Sequence, residues 1–303
     1  MRRSAALFPI RFAPGAIIAT EGEISPRRRT FLDKLLTGHN WRGLAGLLRT
    51  AKAPLIVICR YYLKRGSYPY KIGLRTPIGS IDLELYSRED LVTIYEVFFR
   101  KDYRLLSDAR LVVDFGSNIG ISAAYFLTRN TRLKVHAYEP VPANISRAKR
   151  NLAPFADRVE LVECAVGTED GCVSFGVESS GRYGRIALRG EVDVKQRALE
   201  AYIEVRCRHA EDELRRILQD NPRIDALKID VEGMEIPLLR SLSIAVLERI
   251  SCIMAECDGS DGTLPNFTCR QELSIAWFTA AHCDKQVQLR HREPRRTSSA
   301  RPV

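Results

Sequence analysis

Paired cysteines are missing from this chain. Its eight cysteines, at 59, 164, 172, 207, 252, 257, 269 and 283, form no Cys-x-x-Cys pair, and no Cys/His set has the spacing of zinc ligands. That excludes the common zinc modules and a dithiol redox centre. Cys164 and Cys252 sit in apolar, strand-like runs and read as buried, reduced thiols. A reducing, cytoplasmic setting is the expectation. Long hydrophobic runs are also missing. The best candidate, Pro54–Leu63, is broken by Arg60 and reaches about half of the ~20 residues that a spanning helix needs. The apolar stretch after Met1-Arg2-Arg3 is interrupted by Pro9, Arg11 and Pro14, so a secretory leader is not expected. The chain holds no Gly-x-Gly-x-x-Gly and no solenoid-type repeat.

What is present is an uneven charge. The formal net charge is +10, but residues 1–65 hold 13 Lys/Arg against three Asp/Glu, and residues 284–303 hold six against two. The middle carries 28 against 32. The basic character therefore belongs to the ends. Basic ends suit an anionic lipid surface, nucleic acid or an acidic partner, or are simply solvated; for the chain as a whole nucleic acid is not the expected partner. From Arg27 to about Arg65 the pattern is helical, with Phe31, Leu32, Leu35 and Leu36 and then Trp41, Leu44, Leu47 and Leu48 at helical spacing. These helices read as a cap on the main domain or as a weakly membrane-associating surface.

The organisation that follows is a basic helical extension over 1–69, a main domain over 70–291 and an Arg-rich, disordered tail over 292–303. The main domain opens with a hairpin, Tyr70–Arg75 and Ser80–Tyr86, turning at Thr76-Pro77-Ile78-Gly79. Ser87 and Asp90 form a capping box for a helix to about Arg100. Strands then alternate with helices: Leu111–Phe115, Leu133–Tyr138, Val159–Ala165, Ala226–Ile229 and Ile250–Ala255, with Cys172–Val177 and Ala201–Arg206 flanking a Gly/Ser-rich loop. Helices are expected at Ile119–Arg129, Ala143–Leu152, Ala210–Gln219, Glu235–Ser241 and Thr268–Ala281, with a last strand at Lys285–Leu289. This alternation predicts an α/β fold: a doubly wound, mostly parallel sheet with helices on both faces.

In such a sheet, ligands bind beyond the carboxyl ends of the strands. Leu111–Phe115 runs straight into Gly116-Ser117-Asn118-Ile119-Gly120. Gly116 would let backbone approach a ligand, and Gly120 would let the next helix pack close. The Gly-x-x-x-Gly spacing does not build the amide nest of a pyrophosphate site; it suits a ligand end without phosphate, such as a methionine moiety. Glu139, 23 residues after Gly116 and at the end of the second strand, can accept hydrogen bonds from ribose hydroxyls. Asp230 closes the fourth strand, Glu232 follows on the same loop, and Glu256 closes the fifth. Carboxylates facing one cleft suit a general base for a hydroxyl proton, or contact with a sulfonium. Each taken singly also reads as a solvated loop carboxylate, and that reading is preferred for Glu235. No metal is required, although Asp230 and Glu232 could hold magnesium. His209 reads as a structural residue at a helix start.

These segments together resemble the FkbM-type methyltransferases. The matching stretches are VVDFGSNIG at 112–120, YEPVPAN at 138–144, AVG at 165–167 with Gly171 after it, LKIDVEGMEIPLL at 227–239, and RTPIGSIDLELYSREDLVTIYEVF at 75–98. The resemblance implies a class I, Rossmann-like methyltransferase fold, S-adenosylmethionine as cofactor, and O-methylation of a hydroxyl on a sugar, glycan or secondary metabolite. It implies that Asp114, Gly116, Ser117, Asn118 and Gly120 surround the methionine moiety. Glu139 would hold the ribose and Ala165 would line the adenine pocket. Asp230, Glu232 and Glu256 would face the transfer site. The sequence departs from the family pattern at 205–212 and in its short, Arg-rich end, which puts the last sheet edge in question. Two rival readings stay open: a nicotinamide-dependent oxidoreductase, which Glu139 would serve equally, and a non-catalytic binding protein whose basic N-terminal helices dock on a membrane or nucleic acid.

Overall fold

A computed structural model describes residues 38–177, 184–186, 201–231, 233–256, 267–272 and 275–280. The expected helix around Phe31, the Ser179–Tyr183 loop, the strand at Lys285–Leu289 and the tail over 292–303 lie outside these residues. Among the described residues no helix is long and apolar enough to cross a membrane.

The described chain opens with α1 (Gly38–Thr50) and α2 (Pro54–Tyr62), the latter with proline in its first turn, where no amide donor is lost. The hairpin follows the sequence closely. β1 (Tyr70–Thr76) pairs antiparallel with β2 (Gly79–Leu85), and Thr76 faces Gly79 across a Pro77-Ile78 turn. Gly79 takes φ +122°, a conformation open to glycine. α3 (Arg88–Ile94) starts on the expected capping box: the Asp90 amide donates to Ser87 Oγ at 3.1 Å and the Ser87 amide donates to Asp90 Oδ2 at 2.9 Å. It continues into a π-helical turn, Tyr95–Arg100, that buries Tyr95, Val97, Phe98 and Phe99.

α1 and α2 are not a detached extension. Leu47, Ala51 and Val57 share one core with Ile72, Leu83, Leu91 and Phe98. α1 presents Gly43 and Gly46 to the π-helical turn. A Cβ at Gly46 would stand 1.9 Å from the Phe99 carbonyl oxygen. Tyr61 of α2 stacks on Tyr95 at 4.3 Å between ring centres.

The main sheet has seven strands: β3 (Leu111–Phe115), β4 (Lys134–Tyr138), β5 (Val159–Val162), β10 (Ala226–Ile229), β11 (Ile253–Glu256), β12 (Phe267–Glu272) and β13 (Ile275–Ala280). Their order is β12-β13-β11-β10-β3-β4-β5. The five strands from β11 to β5 are parallel, and β13 runs antiparallel to both its neighbours. Two cores flank the sheet. Val112, Val135, Ala226 and Met254 face α4 (Ile121–Leu127) and α5 (Pro142–Leu152). Val113, Phe115, Leu227 and Ile229 face α6 (Ala210–Asp220), α7 (Glu235–Ser241) and α8 (Ile244–Leu247). Alternation along each strand divides the two sets. This is the doubly wound, class I arrangement, and β3 and β10 flank the point where strand order reverses.

Two expectations change. Val159–Ala165 is not one strand. β5 stops at Val162, the Cys164 amide turns back to the Val162 carbonyl at 3.0 Å, and β6 (Ala165–Gly167) enters a second sheet. That sheet is ordered β6-β9-β7-β8, with β7 (Gly171–Val177), β8 (Gly184–Ile186) and β9 (Ala201–His209). The expected helix at Thr268–Ala281 is instead the β12–β13 hairpin. Thr268 and Gln271 mimic a capping box, but Phe267, Thr268, Ile275, Trp277, Phe278 and Thr279 are strand formers. Pairing with the open edge of β11 satisfies a row of backbone groups that a helix would leave bare. The sheet edge whose completeness was in question is therefore filled.

The close approach at Gly46 gives a test. Gly46→Ala should destabilise the protein by about 1–3 kcal/mol, because the Cβ meets rigid backbone. Leu48→Ala on the outer face of α1 should change stability by no more than about 0.5 kcal/mol. Thermal melts of the two variants check the contrast.

Candidate active site

The register of the parallel strands places four of the sequence-predicted residues in one row. Phe115 is level with Tyr138 on β4 and with Ile229 on β10, and Ile229 is level with Ala255 on β11. The next residue on each strand is Gly116, Glu139, Asp230 or Glu256. The row stands at the carboxyl ends of the strands, across the switch point. Adjacent strands lie about 4.8 Å apart, so the Glu139 and Asp230 positions, two strands apart, are separated by roughly 10 Å. Glu256 is placed by its backbone only. Glu232 lies outside the described residues.

The glycine loop is built by hydrogen bonds to its neighbours. The amides of Gly116 and Ser117 both donate to the Tyr138 carbonyl, at 3.1 and 2.9 Å. The Gly120 amide closes the turn on the Ser117 carbonyl at 2.8 Å. Gly116 has φ +81°, and a Cβ there would lie 1.9 Å from the Asp230 carbonyl oxygen. Its glycine thus admits the β10 loop, a close approach by the protein's own backbone. Gly120, at φ +84°, starts α4 against Leu152 of α5. Asn118 holds φ +49°, a conformation that asparagine tolerates better than most residues.

Beneath the loop lies an ionic cluster that the sequence reading missed. Lys228 Nζ is 3.0 Å from Asp114 Oδ1 and 3.3 Å from Asp230 Oδ2, and it donates to the Gly116 carbonyl at 2.9 Å. Asp114 is 0% exposed, and its other oxygen accepts from Ser122 Oγ at 2.6 Å. Asp114 is therefore a member of the foundation under the loop. Burial pulls the Lys228 ammonium toward lower pKa, but Asp114 and Asp230 outweigh it and hold the pKa well above its ordinary value. Counted as charges, the cluster sums to −1. Asp230, with 28% of its side chain exposed, is the member that reaches solvent. The signal for Lys228 was present in the sequence as a charged residue inside the apolar strand Ala226-Leu227-Lys228-Ile229.

Glu235 is a correction. It is buried, not a solvated loop carboxylate, and accepts from the amides of Val231 at 3.0 Å and Gly233 at 2.8 Å. It folds the loop that carries Asp230. Burial raises its pKa, and the nearby Asp230 charge adds to that against the two amides.

Glu139 is also buried. Its Oε2 accepts from the Asn118 amide at 2.9 Å, and its Oε1 accepts from the Val141 amide at 3.0 Å and from Asn144 Nδ2 at 3.3 Å. Burial nonetheless pushes its pKa up to about 7. A carboxylate offers about four acceptor positions, so roughly one is left for a ligand hydroxyl. Ser117 Oγ is buried with no hydrogen-bond partner among the described residues. Ala165 packs with Val141, Phe175, Val205 and Cys207, which sets it near the Glu139 end of the row. His209 stands at the N-cap position of α6 without a side-chain capping bond, and its Nδ1 lies 3.4 Å from Asp212 Oδ2. Among the described residues no group of three or more His, Cys, Asp or Glu side chains could hold a metal ion.

The cluster makes a stability prediction. Lys228→Met leaves Asp114 buried without its cation and should cost about 3–5 kcal/mol. Adding Asp114→Asn should recover part of that loss. A melting temperature unchanged by Lys228→Met would show that the cluster does not support the loop.

The model of the methyltransferase FkbM domain matches residues 114–268. Methyltransferase 1 of Beauveria bassiana (strain ARSEF 2860) is 27% identical over 181 residues, covering 55% of this chain and 73% of that protein. Methyltransferase sdnD of Sordaria araneosa is 25% identical over 177 residues, covering 51% and 68%. Among solved structures, a putative caffeoyl-CoA O-methyltransferase from Staphylococcus aureus aligns over 57% of this chain and 78% of that one, with 10% identity and a TM-score of 0.34. The match to the family model spans just over half of the sequence and includes the glycine loop, Glu139 and the Asp230 loop, so the chain belongs to the FkbM methyltransferase family.

Proposed function

We infer that the row formed by Gly116, Glu139 and Asp230 holds S-adenosylmethionine and directs methyl transfer to a hydroxyl of a sugar, glycan or secondary metabolite. The observation that carries this reading is the shared register of these residues at the switch point. A span of roughly 10 Å suits a ligand with a ribose at one end and a charged, reactive centre at the other. The residues present fit the cofactor. The unpartnered Ser117 hydroxyl would gain a polar partner, and Glu139 retains room for one ribose hydroxyl. Ala165 and Val141 offer an apolar wall beside it. S-Adenosylmethionine, when bound, supplies a methyl group on a sulfonium centre.

The chain's own residues supply position and field. The cluster's charge of −1 reaches the cleft through Asp230, which favours a cation there. The same carboxylate is our candidate to accept the hydroxyl proton of the methyl acceptor. A positioned base contributes about 10²–10⁴-fold, and alignment of the reacting atoms contributes about 7–11 kcal/mol. Glu256, next to Asp230 in the row, is our candidate for a supporting carboxylate, as is Glu232, which follows Asp230 by two residues in sequence.

Asp230→Asn should lower kcat by about 10²–10⁴-fold while leaving cofactor affinity within a few-fold. A variant with unchanged kcat would remove Asp230 as base. Glu139 gives a pH test. Its folded pKa of about 7 lies above its ordinary 4.5, so the fold favours the protonated form. Its contribution to stability is accordingly lost as pH rises from about 4.5 through 7. A ribose hydroxyl donates best to the ionised form, so binding runs the other way. Cofactor affinity should rise about tenfold from about pH 6 to about pH 8, following the ionised fraction of a group titrating near 7. Glu139→Gln should bind more weakly and flatten that profile; calorimetric titration across pH reads both.

A further inference from the structure

The two N-terminal helices carry large apolar side chains on their outer as well as their inner faces. On α1 the buried residues are Gly43, Gly46 and Leu47, while Trp41 and Leu48 stand 54% and 52% exposed. On α2 the buried residue is Val57, while Leu55, Ile56 and Leu63 just after it are 75%, 52% and 54% exposed. A helix that only caps a domain turns its large apolar side chains inward and its polar ones out. Here Gly43 and Gly46 permit close docking on the π-helical turn, Leu47 and Val57 are buried, and five further large apolar side chains face away from the core. Trp41 and Leu48 lie seven residues apart on one helical face, and Leu55 and Leu63 lie eight apart on another.

The charges around this face have one sign. Between Gly38 and Gly66 there are six Lys/Arg, and no Asp or Glu occurs from Gly38 to Ile81. Two of the six are engaged: Lys52 pairs with Asp82 at 3.1 Å, and Arg60 donates to the Ser67 carbonyl and sits over the Tyr70 ring. Arg42, Arg49, Lys64 and Arg65 are exposed. A second copy of the chain would bring the same positive charges against this face. Residues 1–37, with seven Lys/Arg and three Asp/Glu, are also net positive. The occupant that matches a large apolar face rimmed by cations is an anionic lipid surface. Leucine, isoleucine and tryptophan would enter the headgroup boundary while the arginines and lysines meet phosphates.

We propose that α1 and α2 form a docking face for an anionic bilayer, which would hold the methyltransferase domain at a membrane surface. The proposal stands apart from the identity of the cofactor and of the methyl acceptor.

The chain has two tryptophans, Trp41 and Trp277. In the full chain carrying Trp277→Phe, Trp41 emission reports on this face. The protein should co-sediment with phosphatidylcholine/phosphatidylglycerol vesicles, with a blue shift of Trp41, and bind phosphatidylcholine alone weakly. Each exposed arginine removed, as in Arg42→Gln and Arg49→Gln, should weaken binding about fivefold, equivalent to about 1 kcal/mol per basic residue at an anionic leaflet. The pair Leu55→Ser and Ile56→Ser should abolish the blue shift and leave the melting temperature within about 2 °C of the parent, since both side chains are already solvated. Absence of binding to either vesicle, or equal binding to both, overturns the proposal. So does Trp41 already shielded from aqueous quencher without lipid. Shielding that depends on protein concentration would assign the face to a second copy, and shielding that does not would assign it to residues 1–37.

Discussion

The contact on which the site depends is the ammonium of Lys228 buried between Asp114 and Asp230. Burying the charges of Lys228 and Asp114 is unfavourable unless each finds a partner at good geometry. Here Lys228 finds two carboxylates and the Gly116 carbonyl, and Asp114 finds Lys228 and Ser122. The result joins β3, β10 and α4 at the switch point of the sheet. It fixes the glycine loop from below and the Asp230 loop from the side. The close passage of the Asp230 carbonyl at Gly116 follows from the same arrangement, and it explains the glycine more directly than an approaching ligand does. Glu235 secures the far side of the Asp230 loop through two backbone amides. A carboxylate that reaches solvent is thereby held on a rigid base, which is what a positioned proton acceptor or a sulfonium contact requires.

Much of this was legible in the sequence because local signals and global fold agree. β10 and α7 carry the residue bounds expected from pattern, and the Ser87–Asp90 capping box forms as read. The row at the strand ends could be anticipated because strand, glycine turn and helix occur in order, and register then follows from parallel pairing. The misses have physical reasons. The β12–β13 hairpin was read as a helix because Thr268 and Gln271 carry a local capping pattern, whereas the deciding factor was the open edge of β11, a tertiary need that no window of sequence displays. The break after Val162 is a turn with no glycine or proline to mark it, since Glu163 and Cys164 give no breaker signal. Lys228 and Glu235 were passed over because their role is to neutralise or cap other groups, and such partners become visible only when strands lie side by side.

The N-terminal helices show the reverse case. Their apolar spacing was read correctly as helical, but large apolar side chains stand on both faces: Leu47 and Val57 pack inward, while Trp41, Leu48, Leu55 and Ile56 face out. Gly43 and Gly46 set that choice, because only a bare backbone can approach Phe99 and Tyr95 so closely. Helical periodicity identifies a stripe; it does not say whether the stripe meets the protein or something outside it.

The central claim is that the β3–β10 crevice is the cofactor site, and a crystal structure with S-adenosylhomocysteine bound tests it most directly. The account predicts a ribose hydroxyl on Glu139, a polar atom of the ligand on Ser117 Oγ, and the sulfur facing the Asp230 edge of the row. Binding at another place, or a ligand in the crevice whose ribose makes no contact with Glu139, would contradict it.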